Sequence, residues 1–186
     1  MEMIRGEREW IDLAKAGDAD AFCRLYEMYQ TRLYRYAYYR LGNESDAEDA
    51  VSECVLSAWR QIGALREPDA FPAWIFRILS GCCSRLIREQ IRRRDQVSLD
   101  DSSDAIPAQA DSAQVDNAQA DHVQADNALI LNDALACLCE EDRNIVLLSA
   151  VGGLKSREIA ELTGLAPGSV RSRLSRSLKK VRGYFA

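Results

Sequence analysis

Residues 155–182 read KSREIAELTGLAPGSVRSRLSRSLKKVR, and no other stretch constrains the architecture as strongly. The pattern predicts a short helix, a turn and a second helix that begins at Pro167. Gly164 supplies the left-handed backbone of a tight turn, and proline loses no needed hydrogen bond in a first helical turn. Ala160 is small enough for the helices to cross closely, and Val170 packs between them. The stretch therefore predicts a helix-turn-helix.

The outer face of the second helix is polar and basic. Between residues 155 and 182 there are eight basic and two acidic side chains, a net charge of +6. Arginine in such a helix can pair bidentately with guanine in the major groove, whereas serine and lysine hold phosphates. A solvated basic face is the alternative, but the concentration of charge favours DNA binding. The candidate contacts are Lys155, Arg157, Ser169, Arg171, Ser172, Arg173, Ser175, Arg176 and Lys179.

The overall net charge of −5 conceals a strong segregation along the chain. Residues 77–94 hold six arginines and one glutamate, whereas residues 95–127 hold eight aspartates and no lysine or arginine. Within the acidic part, residues 108–127 are four copies of a five-residue unit, AQADS-AQVDN-AQADH-VQADN, without the recurrent bulky apolar residue that a core needs. We predict a flexible acidic linker over 96–127 between domains at 1–95 and 128–186.

The N-terminal region shows helical periodicity and no strand pattern. Apolar and aromatic residues from Phe22 to Ala37 recur at spacings of three and four, and Gly42 is placed to end that helix. Ser45 and Glu48 form a predicted capping box for the next helix, and another helix is expected over 71–94. Further on, a helix is expected over 128–138 and Asp142 is placed to cap the one after it. The sequence predicts an all-α protein of two small helical domains.

The six cysteines occur as single residues, one CC pair and one CxC pair, which are not the CxxC units of zinc sites. We interpret them as buried free thiols that pack as small hydrophobes. A redox or metal role for Cys82 and Cys83, or for Cys137 and Cys139, is the alternative. No metal site or cofactor is predicted, and no glycine-rich phosphate loop or catalytic histidine suggests an enzyme. The charged N-terminus and the lack of about 18 consecutive apolar residues predict a cytoplasmic protein without membrane insertion.

Four segments together resemble the sigma-70 family, in its extracytoplasmic-function group. Residues 22–35 resemble the start of region 2, and residues 46–60 resemble region 2.2. FPAWIFRI at 71–78, with the arginine-rich helix after it, is similar to regions 2.3 and 2.4. EIAE at 158–161, with GSVRSRLSR at 168–176, is similar to region 4.2. The four occur in the family's order over most of the chain.

The resemblance implies a function for each surface. The region 2.2 helix would bind core RNA polymerase through Asp46, Asp49 and Glu53. Regions 2.3 and 2.4 would open and read the promoter −10 element, with the 62–70 loop meeting a flipped base. The residues implied there are Arg66, Trp74, Arg77, Arg85, Arg88, Arg92 and Arg93. Trp74 is equally well placed to be a core residue. The helix-turn-helix would read the −35 element.

The resemblance also implies partners: core polymerase, promoter DNA and an anti-sigma factor. The acidic linker is longer and more repetitive than is usual in the family. It is either a spacer or an RNA mimic in the basic exit channel of the polymerase. The alternative function is a stand-alone helix-turn-helix regulator, which would leave segments 46–60 and 71–94 without a role.

Overall fold

The computed structural model of the protein describes residues 6–100 and 130–185, with side chains over 6–93 and 130–185. Within these ranges all regular structure is helical, which confirms the predicted all-α class. Of the predicted linker, residues 96–100 continue a helix, and the remainder lies outside the described residues.

Residues 6–100 of the N-terminal domain contain four helices and two short 3-10 turns. They are α1 (Glu7–Lys15), α2 (Ala19–Leu41), α3 (Glu44–Gln61), the turns Ile62–Ala64 and Pro68–Ala70, and α4 (Phe71–Asp100). Helix α2 packs against α1, α3 and α4, so it is the central element of this domain. Leu25, Leu33 and Tyr36 of α2 are fully buried with Phe71, Phe76 and Leu79 of α4.

Most helix boundaries in this domain have a local cause in the sequence. The carboxylate of Asp18 accepts a hydrogen bond from the Ala21 amide at 3.0 Å and caps the start of α2. Gly42 ends α2 in the left-handed conformation (φ 81°), as predicted. Helix α4 extends to Asp100, beyond the predicted end near Arg94.

The predicted capping box of Ser45 and Glu48 is wrong. Helix α3 begins at Glu44, and its cap is Asn43, whose side-chain oxygen accepts a hydrogen bond from the Asp46 amide at 2.9 Å. Asparagine is as strong a cap as serine and occurs two residues earlier. Ser45 therefore lies inside the first turn of the helix and does not cap it.

The C-terminal domain has a helical stretch over 130–136, here called α5, followed by α6 (Glu140–Ala150), α7 (Ser156–Thr163) and α8 (Pro167–Tyr184). Gly164 between α7 and α8 adopts the left-handed conformation (φ 73°), and Ala160 and Val170 are buried where the helices meet. The predicted helix-turn-helix is confirmed. Asp142 does not cap α6, because that helix begins two residues earlier, with Cys139 at the cap position.

One segment, Pro68–Arg93, is long and apolar enough by composition to cross a membrane, with a mean hydropathy of 1.2 over its most apolar window. In the fold, this segment comprises the second 3-10 turn and most of α4. Its residues Phe71, Ile75, Phe76 and Leu79 are all buried in the N-terminal core. The apolar face is thus accounted for by packing within the domain.

The interpretation of all six cysteines as buried is wrong for three of them. Cys54, Cys82 and Cys83 are buried, whereas Cys23 lies on the outer face of α2 and Cys137 and Cys139 lie exposed before α6. Among the described residues no cluster of three or more histidine, cysteine or acidic side chains is arranged to hold a metal ion. Burial raises the pKa of Cys83 to about 12 and also raises the pKa of Cys54.

We therefore expect the native protein to expose three thiols that react quickly with a disulfide reagent and three that react only on unfolding. Exposed thiols reach the reagent, while burial both blocks access and disfavours the reactive thiolate. The measurement is a time course with Ellman's reagent in buffer and in 6 M guanidinium. Serine at Cys23, Cys137 and Cys139 together should abolish the fast phase. Six equally fast thiols in buffer would contradict the buried positions of Cys54, Cys82 and Cys83.

Candidate nucleic-acid interface

The outer face of α8 carries an exposed set of polar and basic side chains in the C-terminal domain. Val170 turns inward and is fully buried, so the opposite side of the helix faces solvent. Arg176 donates through Nε to the Ser172 carbonyl at 3.4 Å, and its guanidinium remains exposed. The exposed side chains on α8 are Ser169, Arg171, Ser172, Ser175, Arg176 and Lys179, and Lys155 and Arg157 are exposed at the start of α7. Eight of the nine predicted −35 contacts are therefore at the surface.

Arg173 is the exception on α8. It is half-buried, and its Nη1 donates to Glu141 Oε2 at 2.7 Å and to Asp142 Oδ1 at 3.4 Å. These carboxylates lie in the first turn of α6, so the ion pairs fix the orientation of α8 against that helix. The geometry gives Arg173 an orienting role within the domain. Ser177, one turn further on, is buried as well, although no pattern in the sequence predicts a buried serine there.

A second basic surface lies along α4 in the N-terminal domain. Arg77, Arg88, Arg92 and Arg93 are exposed on it, and Arg66 is exposed in the loop between the two 3-10 turns. The side chain of Arg88 donates to the Ser84 carbonyl at 3.1 Å. The structure thus brings these five predicted −10 residues to the solvent-facing side of one domain.

Two of the predicted −10 residues also have partners within the domain. Arg85 forms an ion pair with Glu53 of α3 and lies 4.0 Å from Glu89 of α4. Trp74 is half-buried, and its ring packs against that of Phe71 with centroids 5.7 Å apart. Trp74 therefore contributes to the core while keeping part of its surface accessible.

The predicted polymerase-binding carboxylates of α3 differ in their availability. Asp46 accepts hydrogen bonds from Gln90 and from Asn43 Nδ2, the latter at 2.6 Å. Glu53 is held by Arg85, whereas Asp49 is exposed between them. Because its side chain faces solvent, Asp49 can contact a partner directly, whereas Asp46 and Glu53 would first have to break the bonds described above.

Family models match both domains. The model for Sigma-70 region 2 matches residues 25–93, and the model for Sigma-70 region 4 matches residues 128–181. The first match includes α3 and the basic part of α4, and the second includes α7 and all but the last turn of α8. The fold and these matches define a two-domain protein of the sigma-70 class.

Proteins of similar sequence show which group of the sigma-70 class the chain belongs to. The ECF RNA polymerase sigma factor SigL of Mycobacterium tuberculosis is 33% identical over 172 residues, which is 91% of each chain. The ECF RNA polymerase sigma factor BldN of Streptomyces coelicolor is 32% identical over 92% of this chain and 62% of its own. The ECF RNA polymerase sigma factor SigE of Mycolicibacterium smegmatis is 30% identical over 87% of this chain and 60% of its own length. The chain thus spans about three fifths of the length of BldN and SigE, and it belongs to the family of ECF RNA polymerase sigma factors.

Solved structures share the fold. CnrH, solved in complex with the cytosolic domain of CnrY, superposes with a TM-score of 0.69 at 22% identity over 97% of both chains. The sigma factor RpoE, solved with the anti-sigma factor NepR from Bartonella quintana, gives 0.68 at 20% identity over 88% of this chain and 96% of its own. At this level of identity the likeness concerns the fold alone.

Proposed function

We propose that the protein is a sigma factor that binds core RNA polymerase, directs it to promoters by reading −10 and −35 elements, and assists strand opening. The observation that carries the proposal is the presence of two separate exposed basic surfaces in one chain, on α4 and α8, each in a domain that matches a sigma-70 model. Members of this family act as transcription initiation factors, which is a binding role without a catalytic centre of its own. The domain limits that we propose are 1–95 and 128–186.

The −35 element is assigned to α8. Its Arg171 and Arg176 are exposed and would contact base edges in the major groove, and the exposed Ser169, Ser172 and Ser175 would contact phosphates. Lys179 adds charge on α8, and Lys155 and Arg157 add charge at the start of α7. Arg173 acts indirectly, because its ion pairs with α6 hold α8 in position.

The −10 element is assigned to α4 and the loop before it. Arg77, Arg88, Arg92 and Arg93 supply positive charge along one helix for the phosphates of the separated strand. Arg66 lies in the loop assigned to an unstacked base, and the accessible part of Trp74 is a stacking surface nearby. Arg85 joins this set only if its ion pair with Glu53 opens.

Core polymerase is assigned to the exposed side of α3, with Asp49 as its principal contact. Asp46 and Glu53 support that surface through their bonds to Gln90 and Arg85. An anti-sigma factor is a further proposed partner, since the structurally similar RpoE was solved with one. The proposed location is the cytoplasm, where polymerase and promoter DNA are found.

A stand-alone helix-turn-helix regulator is the competing function. It would use only the C-terminal domain and would need neither the carboxylates of α3 nor the arginines of α4. The match of residues 25–93 to Sigma-70 region 2 favours the sigma function. The two functions differ in whether the chain makes core polymerase start transcription.

Run-off transcription with purified core polymerase separates them. We expect the wild-type protein to start transcripts at discrete sites, and Asp49→Arg to lose them because a cation replaces the exposed carboxylate on the polymerase-facing surface. Arg176→Ala should lose specific starts while still binding core polymerase, with a discrimination penalty of about 1–3 kcal/mol at its base pair. Arg173→Ala should differ from Arg176→Ala by also lowering the thermal stability of the domain, because it removes the ion pairs with α6. If the protein binds DNA but does not make core polymerase start transcription at any site, the result would favour the stand-alone regulator.

A further inference from the structure

Two exposed cysteines, Cys137 and Cys139, flank a buried leucine in the turn between α5 and α6. The side chain of Leu138 is only 4% exposed, and its amide donates to the Leu135 carbonyl at 3.1 Å. Because the residue between them is anchored inward, both cysteines are held at the surface of one short turn. The third exposed thiol, Cys23, lies on α2 of the other domain.

The spacing of Cys137 and Cys139 is within the reach of a disulfide. Cα atoms two residues apart are separated by at most about 7 Å, and a disulfide joins Cα atoms about 4.4–6.8 Å apart. Bond formation therefore needs only a local bend of the turn. A ring this small is strained, and a strained disulfide is readily reduced again. Two thiols fit a disulfide better than a metal ion, because the part of the chain that the structure describes offers no third ligand beside them.

The two thiols have different surroundings. Cys137 Sγ donates to the Ala134 carbonyl at 2.9 Å, which ties this thiol to the end of α5. Cys139 occupies the cap position of α6 and makes no capping hydrogen bond with its side chain. The Arg173 guanidinium is close enough to interact with Cys139 electrostatically. Cys139 is therefore the thiol that is better placed to react first, with Cys137 two residues away as its second partner.

The turn that carries the cysteines continues directly into the part of α6 that orients α8. Arg173 of α8 pairs with Glu141 at 2.7 Å and with Asp142 at 3.4 Å, and both carboxylates lie in the first turn of α6. A bend at Cys139 would move this first turn. The ion pairs would then pull on α8 or break, so the chemistry of the turn affects the position of the helix that carries Arg171 and Arg176.

We propose that Cys137 and Cys139 form a reversible disulfide when the protein meets hydrogen peroxide, and that this bond displaces α8 and weakens its binding to DNA. The second part rests on the function proposed above. In a reducing compartment, protein disulfides are usually transient and redox-sensing, which suits a strained pair at the surface.

The reaction takes two steps. Cys139 Sγ attacks one oxygen of hydrogen peroxide, the O–O bond breaks, and the products are a sulfenic acid and one water, which takes up the proton of the thiol. Cys137 Sγ then attacks the sulfur of the sulfenic acid, so that the S–S bond forms, the S–O bond breaks and a second water leaves with the proton of Cys137. The two sulfurs together lose two electrons, and one hydrogen peroxide is reduced to two waters.

Mass spectrometry of the full-length chain after a brief exposure to hydrogen peroxide tests the disulfide. Lysine and arginine are absent between Arg94 and Arg143, so a single tryptic peptide, 95–143, contains both cysteines and no other. After the remaining thiols are alkylated in denaturant, we expect this peptide to be two hydrogens lighter and unalkylated. Treatment with dithiothreitol before alkylation should restore two alkylated thiols.

Serine variants test the assigned order of attack. Cys137→Ser should stop at a sulfenic acid on Cys139, which dimedone traps, whereas Cys139→Ser should be oxidised much more slowly. A wild-type peptide that keeps two alkylated thiols while Cys23 is oxidised would overturn the disulfide. Oxidation of Cys139→Ser as fast as the wild type would overturn the role of Cys139.

Thermal unfolding tests the link to α8. Disulfide formation should lower the Tm of the wild type by several degrees, and it should lower the Tm of Arg173→Ala by less, because the ion pairs with α6 are already absent. The double variant Cys137→Ser/Cys139→Ser is the control for oxidation elsewhere in the chain. Equal shifts in the wild type and Arg173→Ala would overturn the path through Arg173.

Run-off transcription tests the effect on DNA binding, after catalase has removed the peroxide and before core polymerase is added. The oxidised wild type should need a several-fold higher concentration for half-maximal transcription than the reduced protein, and the double serine variant should show no difference. If the oxidised wild type transcribes like the double variant, the effect on α8 is overturned. If even the reduced protein supports no transcription, the proposed function fails, and mass spectrometry and thermal unfolding still decide the disulfide and its link to α8.

Discussion

Replacing Gly152 with alanine is expected to destabilise the C-terminal domain by about 2–3 kcal/mol, in the range of overpacking changes. A Cβ atom at this position would lie 2.5 Å from the Leu148 carbonyl oxygen and 3.2 Å from its carbonyl carbon. Both are backbone atoms in α6, and the same carbonyl accepts a hydrogen bond from the Leu154 amide at 3.0 Å. No side-chain rotation can relieve the overlap, so the turn between α6 and α7 has to shift.

The matched control is Gly183→Ala, near the end of α8. A Cβ atom there meets nothing within 4 Å, so the change should stabilise the helix by up to about 1 kcal/mol. Thermal unfolding of both variants, followed by circular dichroism at 222 nm, gives the comparison. Equal stability of Gly152→Ala and the wild type would mean that the turn tolerates a side chain.

The elements that the sequence predicted correctly are those with causes a few residues long. The apolar spacing of α2 is repeated faithfully in the core, where Leu25, Leu33 and Tyr36 are buried. Gly42 and Gly164 adopt the left-handed backbone at the positions assigned to them. These outcomes follow from periodicity and from the steric freedom of glycine, which do not depend on distant parts of the chain.

Helix starts were harder to predict because several capping residues compete over a short distance. Asn43, Ser45 and Asp46 can all accept from a backbone amide, and the sequence pattern favoured Ser45 because Glu48 follows at the right spacing. In the structure Asn43 caps α3, and Asp46 is engaged by Gln90 of α4. The sequence pattern does not rank caps of similar strength, and the first of them in the chain is the one that begins the helix.

Some features of the candidate site could likewise be predicted from local sequence, and others depend on contacts between distant helices. Exposure of Arg171 and Arg176 follows from the inward side of α8, which Val170 identifies. The pairing of Arg173 with Glu141, and of Arg85 with Glu53, requires knowledge of which helices pack together. Burial of Arg40 had no local signal at all, because an arginine in an amphipathic helix is ordinarily expected at the surface.

Replacing Phe76 with alanine is the second large effect that we expect, with a loss of about 3–5 kcal/mol in the free energy of unfolding. Phe76 is fully buried where α4 meets α2, and its ring lies edge-on to that of Tyr36 with centroids 5.6 Å apart. The Arg32 guanidinium lies 5.7 Å from the centre of the same ring. Truncation would therefore leave a cavity in the N-terminal core and remove the ring that Tyr36 and Arg32 contact.

Phe185→Ala is the control, because that ring is 57% exposed near the chain end and its loss should change stability by no more than about 0.5 kcal/mol. Urea unfolding gives the free energies of unfolding of both variants. Phe76→Ala should lose about 3 kcal/mol or more relative to Phe185→Ala. Equal stability of the two variants would mean that the buried ring of Phe76 contributes no more to the core than the exposed ring of Phe185.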